Sequence, residues 1–510
     1  MRASSAHPRA PRGDDGIAVV AAIGVVMLVS MLIITTVSVA VYEARATGRD
    51  RARSSAVASA EAWVDTLTAT IQSTAPASLP CGPLTSSSVI GGDNLARNAT
   101  VTYYNDAGAV VPCSALPTTR AAQAAISVTA STGPIAGTQP AERTIETLVR
   151  LKPSYANDLD KAIFGNAGVT LANHADIYGQ NGQPDADVYT NGNVTCNNNQ
   201  HYHGSIYAQG TVSMANSCVV EVDVHARNGI TATNPSVAIK GRALVSNGNI
   251  SLGPASLGQQ ARASGSVSGN ICSTPNKCFG SQSVPAPAAA TFPQMKWADH
   301  TQWLTNPEWS ATGVDIVTFS GTSDPVYRCG MYGLPGALNG KVDYVGKWLY
   351  ERGPTLSRPT IVLANCPGQP VKLQGVDISL NDDVVLYTKG GVNFSNKTPI
   401  TSTNSEERRL YLIHAYDSVP ASSVGSCGDG IALDNQVTVH NLVDVLMYSP
   451  CSIRKANNTA HYGQIYAGGT AQIDNKLEMY FRPLPVFGVS GASTSVEYYN
   501  VETLYKRENH

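Results

Sequence analysis

Charge is scarce in this sequence. Of 510 residues, 35 are Lys or Arg and 37 are Asp or Glu, a formal net charge of −2. Binding nucleic acid through its phosphates takes a basic stripe. No Lys/Arg block occurs outside the N-terminal region, so nucleic acid is not an expected partner. Also missing are G-x-S-x-G, a Walker-type phosphate loop and H-E-x-x-H. Their absence leaves a serine nucleophile, nucleotide chemistry and a zinc protease without motif support. Phenylalanine is rare, 7 residues against 22 tyrosines, and tyrosine with its polar tip suits exposed contact surfaces as well as extracellular β-structure.

The ten cysteines never occur as C-x₂₋₄-C; the closest two, Cys272 and Cys278, have no histidines beside them. That spacing argues against structural zinc. An even number of cysteines in Gly/Asn/Ser-rich sequence fits an oxidising compartment. Pairing within one or two structural repeats selects Cys81–Cys113, Cys196–Cys218, Cys272–Cys278, Cys329–Cys366 and Cys427–Cys451, although spacing alone does not fix connectivity. No cofactor and no metal site is expected.

A long apolar run begins abruptly at Ile17, directly after Gly16, and carries no charge as far as Tyr42. As a helix it would be roughly 39 Å long at about 1.5 Å per residue, enough to span a bilayer. It is too long for a secretory signal and has no small-residue cleavage site at its far end. A plain anchor, a buried core helix and a segment whose polar leader is cut in front of it are the alternatives; only the last explains the Gly16-Ile17 edge. Charge does not orient it, since Arg2, Arg9 and Arg12 precede the run and Arg45, Arg49, Arg51 and Arg53 follow it. The cysteines and low charge place the C-terminal bulk outside the cytoplasm. Downstream, Val57, Ala60, Val64, Leu67 and Ile71 fall at steps of three and four, a narrow helical stripe. Proline at position 76 predicts the end of the helix near Ser73.

A short leader ending in Gly16, an apolar helix from Ile17 and the Ser59-Ala-Glu-Ala62 run resemble the N-terminal region of PilX-type minor pilins of type IV pili, over residues 12–73. The resemblance implies cleavage between Gly16 and Ile17 by a prepilin peptidase. It also implies other pilin subunits and the membrane pilus-assembly machinery as partners. Major pilins carry Glu at the fifth mature residue, where it pairs with a neighbour's terminal amine; here that residue is Ala21. A buried amine without its carboxylate costs several kcal/mol, so the departure suits a tip, priming or low-copy subunit. Glu61 reads most simply as a solvated carboxylate on the helix face.

From 75 to 153, short alternating runs separated by Gly, Pro and Asn predict a small antiparallel sheet on the helix, a pilin-like α/β head. Beyond it the sequence repeats. Similar phrases surround Gly168, Gly192, Gly210, Gly229 and Gly248, and a period near 19 predicts one coil of a right-handed parallel β-helix, or solenoid, over 154–482. Residues 281–353, rich in Pro and Trp, read as an inserted cap. HYHGSIYAQGTVSM (201–214) and HYGQIYAGGTAQI (461–473) read as equivalent coils, and 483–510 as a C-terminal tail. The expected fold class is mainly β with a long N-terminal helix.

Solenoids can carry polysaccharide-degrading sites, which makes Asp185 with Asp187 and Asp382 with Asp383 the carboxylates to weigh. Solvated turn aspartates are the simpler reading, because sequence does not supply the separation a glycosidase pair needs or the further oxygens of a calcium site. His201, His203 and His461 invite a metal, but the recurrent His-Tyr reads as a structural corner. The expected function is a non-catalytic minor-pilin-like component, single-pass in the membrane, displaying a solenoid that touches a glycan or a surface protein. The alternative is a membrane-anchored solenoid enzyme or binding protein acting on surface polysaccharide.

Overall fold

The computed structural model describes residues 15–509 except 91–92, 106–107, 117–120, 134–139, 156–158, 311, 333–341, 395–397, 435–436, 457–458 and 488–495. The leader expected at 1–16 thus lies almost wholly outside the described residues. The chain divides into two compact units, 1–154 with 496–510, and 155–495.

One helix runs Asp15–Ser73, and it is the one helix among the described residues long and apolar enough to cross a membrane. Its first half is exposed on every side, Val20, Met27 and Leu32 included. Its second half is amphipathic as the stripe requires: Ala60, Val64, Leu67 and Ile71 are buried and Val57 packs at the edge. Trp63 joins them, and the small residues Ala52, Ala56 and Ser59 let the helix approach its sheet closely. Glu61 is exposed.

The sheet beneath is antiparallel: Gly82–Ile90, Asp93–Tyr104, Gln123–Thr132, Glu142–Tyr155, then Val496–Asn509. Gln123–Thr132 alternates strictly between half-buried and buried positions, with Ile126 and Val128 meeting the helix stripe, as expected of a sheet with one covered face. Val496–Asn509 corrects the sequence reading, which put these residues in a separate tail. They form a strand of the head, so the solenoid is inserted between two head strands.

Among the described residues the solenoid strands pair in parallel from coil to coil, and inward aliphatics form continuous columns. Val392, Ile431, Ile453 and Ala471 lead to Val169, and from there Val194, Val212, Ile230 and Ile250 continue. The repeat glycines are needed mainly for space. A Cβ on Gly192 would lie 1.8 Å from the carbonyl oxygen of Ala167 in the coil below, whereas Gly248 also has φ +157°.

Coil order is not chain order. The first coil, near 163–178, pairs on one side with 188–202 and on the other with 463–481. Coils are added outward from it as far as Phe279. The chain then returns to the far end, and the coils beginning with Asp315–Ser320 stack back until the last one meets the first. The segment expected to be a cap therefore has three parts. Residues 285–303 form a strap across the strands. His225 bonds the Pro285 carbonyl (2.8 Å), Gln209 donates to that of Pro287 (2.7 Å), and the Tyr189 hydroxyl donates to that of Ala288 (2.7 Å). Further on, the Tyr448 hydroxyl donates to the Pro293 carbonyl (2.6 Å), and Trp303 donates to the Tyr387 hydroxyl (3.1 Å). Asp315–Ser320 is itself a coil strand. Helix Tyr344–Arg352 closes the core with Val345, Trp348 and Leu349, N-capped by Asp343 through the amide of Gly346 (2.7 Å).

All ten cysteines are paired: Cys81–Cys113, Cys196–Cys218, Cys272–Cys278, Cys329–Cys366 and Cys427–Cys451. These are the pairs that the spacing argument selects.

Candidate ligand groove on the solenoid

The carboxylates weighed from sequence are engaged structurally. Asp185 accepts from the amide of Gln180 (2.8 Å) and closes the turn Gln180–Gly182. Asp187 accepts from the amide of Ser205 (2.8 Å) and pairs with Lys161 (3.4 Å). Burial raises both carboxyls above their ordinary value. Asp382 accepts from the amide of Asp383 (2.8 Å), and Asp383 holds Arg409 through its backbone amide (2.8 Å), Nε (2.8 Å) and Nη2 (2.7 Å). Neither pair lines the cavities described below.

The histidines separate. His201 bonds Glu221, which also pairs with Lys240 (2.7 Å), and its ring lies 4.1 Å from that of His203. His461 is elsewhere: fully buried and in register with Met479. This corrects the reading of the shared His-Tyr as one corner. Tyr202 is in register with Ile177, and Ile177 with Met479, so His461 occupies the position of Tyr202 and Tyr462 that of His203. From Ile206 and Ile465 onward the two phrases share columns, Ile206 with Ile465 and Tyr207 with Tyr466; only the His-Tyr dipeptides are offset by one residue, and that offset turns His461 into the core. Near it is Lys455, also fully buried and without a partner at Nζ among the described residues. Burial lowers its ammonium to about 7, and burial together with Lys455 pushes His461 well below its ordinary value.

Two aromatic rows line the solenoid. Under the strap, Phe164 is stacked between Tyr189 (5.3 Å) and Tyr466 (5.7 Å), with Phe292 against Tyr448 (5.1 Å). A cavity of about 540 Å³ opens beside them, with Asp160 and Lys161 in its wall. This row is structural. Its rings are buried, Tyr189 and Tyr448 tie down the strap, and the Tyr466 hydroxyl accepts from the amide of Lys161 (2.9 Å).

The second row differs. Tyr462 stacks on Tyr480 (4.7 Å, 9°) and Tyr480 on Tyr178 (4.9 Å, 19°), each in register across neighbouring strands. The guanidinium of Arg482 covers the free face of Tyr462 at 4.8 Å, and His203 covers that of Tyr178 at 4.8 Å. The rings are half-buried, and among the described residues none bonds any of the three hydroxyls. Mutual proximity and neighbouring carboxylates add to burial in raising the phenols of Tyr178 and Tyr462. Beside the row lies a groove of about 510 Å³ lined by Tyr178, Gln180, Glu407, Asp444, Tyr480 and Arg482. Asp444 pairs with Arg482 (2.9 Å), and its carboxyl is raised to about 6, chiefly by burial. The abundance of tyrosine was the only sequence signal for this row. Placing it required the coil register.

No family model and no curated protein matches the chain. Among solved structures, the competence-associated pilin ComZ from Thermus thermophilus aligns over 91% of this chain and 97% of its own at 11% identity, with a TM-score of 0.27. An ice-binding protein from an Antarctic bacterium of the Flavobacteriaceae aligns over 65% of this chain and 99% of its own at 11% identity, with a TM-score of 0.10.

Proposed function

We propose that the chain is a pilin-like, low-copy component of a type IV pilus or a related filament system that displays its solenoid outside the cytoplasm as a tip, priming or adhesive module. The observation that carries this reading is the single helix Asp15–Ser73. Its exposed apolar half can only be satisfied by lipid or by other apolar helices, and its amphipathic half is built into the small sheet. Five disulfides support an oxidising location for the remainder. Ala21, exposed on the helix where a major pilin carries Glu, supports a position that needs no charge partner within a filament. The engagement of Asp185, Asp187, Asp382 and Asp383 in backbone hydrogen bonds and two ion pairs supports a non-catalytic solenoid. Prepilin peptidase, other pilin subunits and the assembly machinery are the partners this reading requires.

N-terminal sequencing of the protein from membranes and from sheared surface material, with and without an active prepilin peptidase, tests it. A mature start at Ile17 that depends on the peptidase is expected, and Gly16→Trp should abolish it. An uncut Met1 in all samples would sink the filament reading and leave an ordinary anchored protein.

A further inference from the structure

The geometry points to the groove beside the turn Gln180–Gly182 as a binding site for an uncharged linear glycan that lies along the solenoid axis across Tyr178, Tyr480 and Tyr462. The two aromatic rows of this solenoid are built alike but used differently. Under the strap the tyrosine hydroxyls are spent on backbone groups. In the open row the three hydroxyls make no bond among the described residues, although the rings are held rigidly by stacking at 4.7 and 4.9 Å. Rigid, pre-placed polar tips on apolar bodies lose little entropy on binding. Because each ring face is covered by the next ring, by Arg482 or by His203, what the row presents is ring edges and a comb of hydroxyls at coil spacing. That comb fits a partner whose own hydroxyls repeat along a line.

The rest of the site has the same character. Gln180 and Arg482 bring donors, Glu407 and Asp444 bring acceptors, and the Nε2 of His203 is buried without a partner. Charge selects among glycans. Glu407 and Asp444 line the groove, and Glu478 and Asp176, in register with each other, flank the tyrosines. The nearby cations Arg482 and Lys476 are already paired with Asp444 (2.9 Å) and Glu478 (3.7 Å). A polyanionic chain would set its charges against this cluster of carboxylates, whereas an uncharged one meets acceptors for its hydroxyls.

This inference builds on the display reading, but its test is separate. Purified full-length chain in detergent is titrated calorimetrically with cellohexaose and chitohexaose, both uncharged, and with hexagalacturonate as the anionic counterpart. Binding of an uncharged hexasaccharide is expected, at least tenfold tighter than the galacturonate. Tyr480→Phe, which keeps the stack and removes one hydroxyl, should weaken it severalfold and Tyr480→Ala at least tenfold. Thr231→Ala, on the sheet that does not carry the row, should leave it unchanged. Absence of binding by both uncharged probes at millimolar concentration would overturn the inference. So would equal binding of the galacturonate, or an unaltered affinity in Tyr480→Phe, a variant that retains the ring packing. Leader processing is read independently, so an empty groove leaves the filament reading standing and an uncut leader leaves the groove standing.

Discussion

Replacing Lys455 with methionine should stabilise this protein at neutral pH. Lys455 stands in an inward column of the solenoid, in register with Leu433 on one side and Ile473 on the other, and its Nζ has no bonding partner among the described residues. An ammonium in such a place is costly, and the site responds by lowering its pKa from 10.5 to about 7. At about 1.36 kcal/mol per pH unit, that displacement amounts to roughly 5 kcal/mol of folding free energy forfeited at pH 7. The folded amine titrates below the unfolded one, so between pH 7 and 10.5 the unfolded chain holds the extra proton and stability rises with pH. Below pH 7 both states are charged and the cost is constant. Above 10.5 both are neutral and it vanishes. His461, whose folded value is also depressed, adds its cost only below its ordinary 6.5 and is silent in this window. Methionine has similar length and no charge to desolvate. The Lys455→Met chain should therefore exceed the parent by several kcal/mol at pH 7, with the gap closing by about 1.4 kcal/mol per pH unit toward pH 10. Urea unfolding of both full-length chains in detergent, followed by far-UV circular dichroism at pH 7, 8, 9 and 10, gives the gap directly. No cysteine is free, which removes the internal nucleophile for disulfide exchange at the alkaline end. A gap that stays constant across the window, or a methionine variant less stable at pH 7, would refute the reasoning.

Other substitutions address other parts of the fold. Gly192→Ala should destabilise the solenoid by roughly 2 kcal/mol or more, because the new Cβ meets the Ala167 carbonyl at 1.8 Å and the coils must separate to admit it; its denaturant midpoint should fall with the m-value unchanged. Asp383→Ala leaves Arg409 without the carboxylate that holds it at 2.7 Å and should cost about 3 kcal/mol, again measured by chemical unfolding. Tyr448→Phe removes the hydroxyl that donates to Pro293 and accepts from the amide of Met295. The expected loss is about 1–3 kcal/mol, concentrated in the strap, so limited proteolysis should cut residues 285–295 faster while the coils stay protected.

What could be read from the sequence was local. The helix is legible because Val57 through Ile71 recur at helical steps and Pro76 forbids continuation. The coils are legible because close approach between them excludes a Cβ at positions such as Gly192 and Gly210, which imprints a nearly constant glycine interval. The cysteine pairs are legible because a bond within one or two coils joins residues already near in sequence. Features set by long-range register were hidden. Nothing near Val496–Asn509 shows that its partner strand is Glu142–Tyr155, more than three hundred residues earlier. The His-Tyr dipeptides look homologous and are not, since only the stacking shows that Tyr202, and not His201, shares a column with His461.

The strap explains why the coil order could not be inferred. A first coil offers two open edges, and local sequence is equally compatible with growth on either. Here both are used. Outward growth from 163 ends at the Cys272–Cys278 turn, and a second stack starts elsewhere and closes on the first coil's other edge. That arrangement requires a connection spanning the stack, which in turn needs a row of side chains able to receive an extended backbone. Tyr189, Gln209 and His225 do so from consecutive coils, and Tyr448 does so farther along the stack, with donors and acceptors aimed outward. It also buries both faces of the strands beneath, so Val384–Thr388 is buried at every position and reads as an unbroken apolar run. By contrast, the strands that carry Tyr178, Tyr462 and Tyr480 alternate between buried and half-buried positions in that stretch. The difference between a covered and an open aromatic row is thus written in strand patterning, and an alternating coil strand with an outward tyrosine is the place to look for a ligand.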